Sequence, residues 1–322
     1  KRPHLLCRPQ VSSPQSSFLM QLPTIYDMRT GLRRLISVGS ALLPIAMGIR
    51  AERWFRGYED SKKLENSDGA IVSFGKSGRT WLRVLIWRYF AKKYGFAADG
   101  ISEFDEFRLN NPNVPVLFFT HDNYLKDYAG HDRKADLYGK SRVVLLMRDP
   151  RDTAVSQFFQ WKHRIVPRKK VLNNYPLSDM DLHGFITSEQ SGIPKVIGFM
   201  NAWASEIGRM PNLLVVKYED LRADTKGELR RVLEFFGQSP TEEELEDAVS
   251  FASVENMRRM EIENAKNASA HRSLKPADAN DPSSFKVRRA KVGGWRDYVT
   301  EEQSEVIDRM VKEKLDPVFG YE

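Results

Sequence analysis

The 322-residue chain carries 50 lysines and arginines against 43 aspartates and glutamates, a formal net charge of +7 at pH 7, and 41% of its residues are hydrophobic. Those proportions belong to a globular protein and exclude disorder over most of the chain; the positive balance suits an anionic substrate, cofactor or surface without choosing among them. A single cysteine, Cys7, excludes an intrachain disulfide and a cysteine-based metal site. The six histidines form no pair or carboxylate cluster at ligand spacing, so no metal is expected.

Residues 1–30 carry Pro, Ser and Gln without a period and read as a tail, with Met20 and Met28 as candidate starts. Leu35 to Ile49 follows as a 15-residue apolar run, flanked by Arg33, Arg34, Arg50, Arg53 and Arg56. With Pro44 inside it, the run is shorter than the roughly 20 residues of a spanning helix. Three readings stay open: an interfacial anchor whose arginines meet anionic headgroups, with peripheral membrane contact through 33–56; a signal peptide starting at Met28; and a helix docked on the core. The low cysteine count favours the cytoplasm. The chain is therefore expected to divide into an N-terminal segment, 1–68, helical in part, and one large domain, 69–322.

Ala70-Ile71-Val72-Ser73 is a short apolar run that enters Gly75-Lys76-Ser77-Gly78. A helical pattern follows at once, with Trp81, Leu82, Leu85, Ile86, Tyr89 and Phe90 on one face. Strand, glycine loop and helix make a phosphate cradle: the loop turns its N–H groups toward a ligand, the helix N-terminus adds positive potential, and Lys76, Ser77 and Thr80 add donors. A Walker A loop would need glycine at residue 70, where the chain has alanine. The plain alternative is a glycine-rich turn that only joins a strand to a helix.

Val116 to Thr120 is a second strand-length run, ending at His121-Asp122. Ligands collect at the carboxyl ends of parallel strands, so His121, otherwise an ordinary surface or capping histidine, is a candidate base. A third run, Arg142 to Met147, leads into Arg148-Asp149-Pro150-Arg151-Asp152-Thr153-Ala154-Val155-Ser156. Asp149 is a good N-cap and Pro150 a good first helical residue, which puts Arg148 at the junction and Ser156 about two turns along. Both side chains suit a phosphate; the alternative is a capped helix whose arginine pairs with a neighbouring carboxylate.

Lys-Ser-Gly-x-Thr-Trp after a strand resembles the 5'-phosphosulfate loop of sulfotransferases that use 3'-phosphoadenosine 5'-phosphosulfate (PAPS). Arg-Asp-Pro-x-Asp-x-x-x-Ser is similar to the 3'-phosphate motif of that family, and Thr120-His121 matches the Thr-His pair that carries its base. The three motifs stand in family order.

Further along, Trp161 to Arg164, Arg168-Lys169-Lys170 and Gly192 to Ile197 read as a helix end and a mobile basic segment near the acceptor entrance, or equally as a solvated charged loop. Asn212 to Leu221 gives a fourth strand whose Tyr218-Glu219-Asp220 resembles a family element that approaches the adenosine. Thr241 and Glu244 form a capping box before a helix that runs to Phe251, Ala252, Ser253 and Val254. The family touches adenine there, with Ser253 the candidate and Ala252 standing where threonine is common. Residues 265–286 are loop-like in composition. Val287 to Arg296 looks like the family's Arg-Lys-Gly-x-x-Gly-Asp-Trp motif that closes over the donor, with Ala290 for glycine and Gly294 for aspartate. Thr300 and Gln303 cap a last amphipathic helix.

The resemblance implies an α/β, P-loop-like three-layer fold with a mostly parallel central sheet and helices on both faces. It implies transfer of a sulfuryl group from PAPS, as co-substrate, to a hydroxyl or amine of a glycan, a lipid or a small alcohol or phenol. Lys76, Ser77, Gly78, Arg79, Thr80 and Trp81 would hold the 5' end of the donor. Arg148, Ser156, Arg288 and Arg289 would hold the 3'-phosphate, and Tyr218, Ser253 and Ala290 the remainder. His121 would be the base, and Lys76 would neutralise the departing phosphate. Two departures stand out: Arg79 replaces a threonine, and Phe119 stands where cytosolic members carry a lysine two residues before the histidine. Two rival classes are a P-loop kinase with Asp149 or Asp152 on magnesium, and a basic nucleic-acid or membrane binder that kept the fold and lost activity. The family reading expects no nucleic-acid partner.

Overall fold

The computed structural model describes residues 44–96, 108, 111–266 and 274–321. The chain divides into two compact units, Lys1–Gly48 and Ile49–Glu322. The first is described only from residue 44, so the tail and residues 35–43 of the apolar run lie outside the described residues. Helix α1 spans Ile45–Glu65. Among the described residues no helix is long and apolar enough to cross a membrane.

Four strands, β1 (Gly69–Ser73), β2 (Leu117–Thr120), β3 (Val143–Met147) and β4 (Leu213–Lys217), form one parallel sheet in the order β2-β1-β3-β4. Every residue of central β1 and β3 is buried. Strands covered on both faces have no solvent side to mark with polar residues, which is why they read as unbroken apolar runs. The register sets Ala70 beside Phe118 and Val143, and Val144 beside Leu214.

Alternate side chains then supply two separate cores. The longer helices after α1 are α2 (Arg79–Tyr94), α3 (Pro150–His163), α4 (Ile193–Ala204), α5 (Thr225–Phe235), α6 (Glu242–Phe251), α7 (Val254–Lys266) and α8 (Glu301–Lys314). Ala70, Val72, Val143 and Leu145 pack with α3, α4 and α8 through Phe158, Trp203 and Ile307. Ile71, Val144 and Leu146 pack with α2, α5 and α6 through Leu85, Leu233 and Leu245. Helix α2 buries more than the single face its pattern announces: Val84 and Trp87 are also inside, because α6 lies against it and Asp247 of α6 pairs with Arg88 at 2.6 Å.

The caps form as the sequence announces them. Asp149 accepts from the Arg151 amide with Pro150 in the first helical position, and the Thr241–Glu244 and Thr300–Gln303 boxes are reciprocal. The basic stretch after α3 differs from expectation. It is helical over Pro167–Leu172 and Leu182–Thr187, not a loop. Leu172, Phe185 and Ile186 are buried, and segments this short show too few apolar positions to display a period.

One buried ion pair ties the fold to the end of β2. Asp122, next to His121, has φ +54°, lies 2.6 Å from the Lys134 ammonium and accepts from Tyr138 Oη at 3.0 Å. Both charged side chains are almost fully buried. Lys134→Met is expected to cost about 3–5 kcal/mol of unfolding free energy, because it strands a buried carboxylate. Adding Asp122→Asn should recover most of that loss, and urea unfolding followed by tryptophan fluorescence reads both.

Candidate active site

The residues that follow the four strands open into a cavity of about 440 Å³. Of the residues singled out in the sequence, His121, Lys76, Gly78, Arg79, Thr80, Trp81, Arg148, Ser156, Tyr218, Arg288, Arg289 and Ala290 line it. Ser77 and Ser253 do not. Ser77 is 2% exposed within the loop. Ser253 is used locally, its hydroxyl accepting from the Asn256 amide at 3.3 Å at the start of α7, and its neighbours Ala252 and Val254 line the cavity instead.

The loop between β1 and α2 takes two left-handed steps, Lys76 at φ +76° and Gly78 at φ +96°. Only glycine fits residue 78: a Cβ there would stand 2.6 Å from Cδ2 of Tyr218. No side chain caps the α2 N-terminus, so its first amides are left for a ligand, where an anion is favoured. Tyr218 is one wall of an aromatic shelf. The Arg148 guanidinium lies 4.4 Å over its ring, Trp81 meets it edge-on at 5.9 Å, and Trp81 Nε1 donates to the Ala252 carbonyl at 2.9 Å. Arg222, 5.3 Å over Trp81, was missed in the sequence; its signal is a position one helical turn after Tyr218.

Two carboxylates fasten the stretch 286–295 beside this loop. Asp152 accepts from the amides of Gly293 (2.8 Å) and Trp295 (2.9 Å). Glu261, fully buried, accepts from the amides of Lys286 (2.6 Å) and Val287 (3.1 Å). Arg148 bridges the two parts by donating to the carbonyls of Lys76 (3.3 Å) and Lys291 (3.2 Å). The Arg288 guanidinium sits 3.7 Å over Phe159 and donates to Tyr298 Oη. Arg289 turns outward to Asp297 at 3.0 Å. Ala290 adopts φ +53°, the left-handed conformation for which the family's glycine is suited. Lys286 also lines the cavity and was missed, because it stands in a stretch whose composition says only that it is a loop.

Charge is the dominant property of this cavity. Burial, reinforced by Arg164, Arg148 and Arg288, pushes the Lys76 ammonium down to about 7. Burial, then Lys76, Arg164 and Arg79, holds Lys286 well below its ordinary value. The Arg148 Nε is buried without a partner. A cluster of this kind calls for a polyanion. Asp149 and Asp152, the candidate magnesium ligands of the kinase reading, are bound to Arg151 and to the two backbone amides. Among the described residues no group of three His, Cys, Asp or Glu is placed to hold a metal.

His121 stands at the other end of the loop. Its Nδ1 is 2.9 Å from the Ser73 carbonyl, so it donates there, and its Nε2 is 2.7 Å from Arg79 Nη2, so it accepts. Burial first, then the Arg79 charge, keeps the imidazole well below its usual titration range. It is a neutral ring in one defined tautomer, with its lone pair on Nε2.

A family model described as the sulfotransferase domain matches residues 66–319. Human sulfotransferase 2A1 is 25% identical over 296 residues, covering 84% of this chain and 91% of that one. Cytosolic sulfotransferase 13 of Arabidopsis thaliana is 28% identical over 269 residues, covering 79% and 78%. Among solved structures, mouse sulfotransferase SULT7A1 complexed with PAP aligns with a TM-score of 0.52 at 20% identity, covering 80% of this chain and 89% of that one.

A polyanion should return Lys76 to the ammonium form. At pH 8, above its value of about 7, binding of 3'-phosphoadenosine 5'-phosphate (PAP) is expected to take up about 1 proton from the buffer. Affinity should fall as pH rises from 7 toward the higher value of the complex. Calorimetry in buffers of different ionisation enthalpy counts the protons, and Lys76→Met should lower the count.

Proposed function

Because the chain belongs to the sulfotransferase domain family, enzymes that draw on PAPS, we propose that His121 is the base that takes the acceptor's proton and that Lys76 meets the leaving group. When bound, PAPS supplies a sulfuryl group on a phosphate leaving group. The residues present fit it: an uncapped helix N-terminus, a left-handed glycine loop, and cations on Lys76, Arg148 and Arg288. His121 Nε2 receives the hydroxyl or amine proton as the acceptor atom bonds to sulfur. The sulfur–oxygen bond to the 5'-phosphate breaks, and its electron pair stays on that phosphate. Lys76 and the first amides of α2 meet the charge that grows there. Products are the sulfated acceptor and PAP.

The observation that carries this assignment is the fixed tautomer of His121, with Nδ1 spent on Ser73 and the Nε2 lone pair held toward Arg79, its neighbour in the cavity wall. Arg148, Ser156 and Arg288 take the 3'-phosphate in this account, and Arg289 takes a smaller share because Asp297 already holds it. We assign the acceptor to small hydroxyl-bearing compounds, since the walls beyond His121 mix Tyr124, Tyr175 and Ile165 with polar groups. The compartment we infer is the cytoplasm, from the low cysteine count and from the relative that is named cytosolic.

Transfer of radiolabelled sulfate from PAPS to a panel of phenols and alcohols tests this directly. His121→Gln is expected to lose about 100- to 10,000-fold in kcat, the usual share of general base catalysis, with PAP affinity retained. In the parent enzyme kcat at saturating PAPS should stay level as pH falls from 8 to 6.5, because the imidazole titrates lower, and drop only below that. A variant at residue 121 that keeps its rate would remove His121 from the chemistry.

A further inference from the structure

Beyond the donor end, the cavity is still positively charged. Among the described residues that line it, Asp152 is the one carboxylate, and its two oxygens are committed to the amides of Gly293 and Trp295. Around His121 the lining carries Arg79, Arg83 and Arg56. Arg83 follows Arg79 by one turn of α2, and its guanidinium lies 4.5 Å over Phe119, two residues before the base. Arg56 lies 5.6 Å over Tyr124 and has its own counterion in Glu52 at 2.7 Å.

Among the described residues Arg79 has no such counterion at hydrogen-bond distance. One arm donates to the neutral imidazole of His121, and Nη1 is buried with no hydrogen-bond partner. Asp60, whose charge it feels, does not line the cavity. A guanidinium withdrawn from water and facing a neutral ring calls for an anion. The same contact poses a chemical difficulty, because a base whose lone pair already accepts from Arg79 cannot accept a proton from a hydroxyl.

We propose that the acceptor brings the anion: it is an alcohol or phenol carrying its own carboxylate, sulfonate, sulfate or phosphate group, and Arg79 binds that group. This deepens the sulfuryl-transfer reading and rests on it. Capture of Arg79 by the acceptor satisfies the guanidinium and uncovers His121 Nε2 in one step, so the base becomes available when a charged acceptor is in place.

The test uses matched acceptors: 4-hydroxyphenylacetate, its methyl ester and 4-hydroxybenzenesulfonate, each with labelled PAPS and each titrated calorimetrically into the PAP-loaded protein. Parent enzyme is expected to prefer the two anions over the ester by about 10-fold or more in kcat/KM, or in affinity where turnover is too slow to read, the size of one charge-assisted pair. Arg79→Thr should erase that ratio, and Arg79→Lys, which keeps the charge, should keep part of it. Equal or better use of the ester, binding of none of the three, or an unchanged ratio in Arg79→Thr overturns the proposal. PAP binding separates the two levels: if PAP binds and the ester is preferred, only the acceptor class is wrong, whereas failure to bind PAP removes the donor site itself.

Discussion

The feature on which the rest of the structure depends is positive charge gathered, largely out of water, at the carboxyl ends of a parallel sheet. Lys76, Arg148, Lys286 and Arg288 come from three places in the chain and line one cavity, and burial holds Lys76 and Lys286 below their ordinary values. Such a cluster is unfavourable without a counter-charge and needs a scaffold that over-determines it. The sheet provides that scaffold on one side. On the other, Asp152 and Glu261 use backbone amides, not cations, as their nearest partners in the 286–295 stretch. They fix the path of the chain, and each also holds one arginine at longer range, Arg148 at 3.4 Å from Asp152 and Arg164 at 3.5 Å from Glu261.

Much of this was legible in the sequence because it is local. The unbroken runs of β1 and β3, the capping boxes at Thr241 and Thr300, Asp149 with Pro150, and the loop from Gly75 to Gly78 all declare themselves within a few residues. The requirement at Gly78 is only half local, since its positive φ can be guessed from a glycine loop but its contact with Tyr218 joins residues 140 positions apart. What the sequence hid is what long-range packing decides. Lys286 sits in a stretch with no period, Arg222 reaches the site by following Tyr218 round one helical turn, and Ser253 turns to cap α7 while its two neighbours face the cavity. The helix at Pro167–Leu172 was hidden for another reason: six residues give too little of a 3.6-residue period to be recognised.

The two departures from the family pattern around His121 acquire a shared physical sense. Phe119, where a lysine is usual, does not supply a charge; its ring lies beneath the Arg83 guanidinium. Arg79, where a threonine is usual, touches His121 directly. Positive charge thus moves from the strand that carries the histidine to the first turns of the helix after the phosphate loop. His121 is held as a neutral ring by burial and by that arginine, while its orientation comes from a main-chain carbonyl at the end of β1. The glycine loop after β1 and the arginine that contacts His121 are therefore one continuous segment.

The most direct measurement is a calorimetric titration of the protein with PAP, set beside 5'-AMP and ATP with and without magnesium. If the cavity is a PAPS site built on this cluster, PAP binds tightly without metal, and 5'-AMP, which lacks the 3'-phosphate, binds far more weakly. Equal affinity for PAP and 5'-AMP, or a preference for magnesium-ATP, would contradict it.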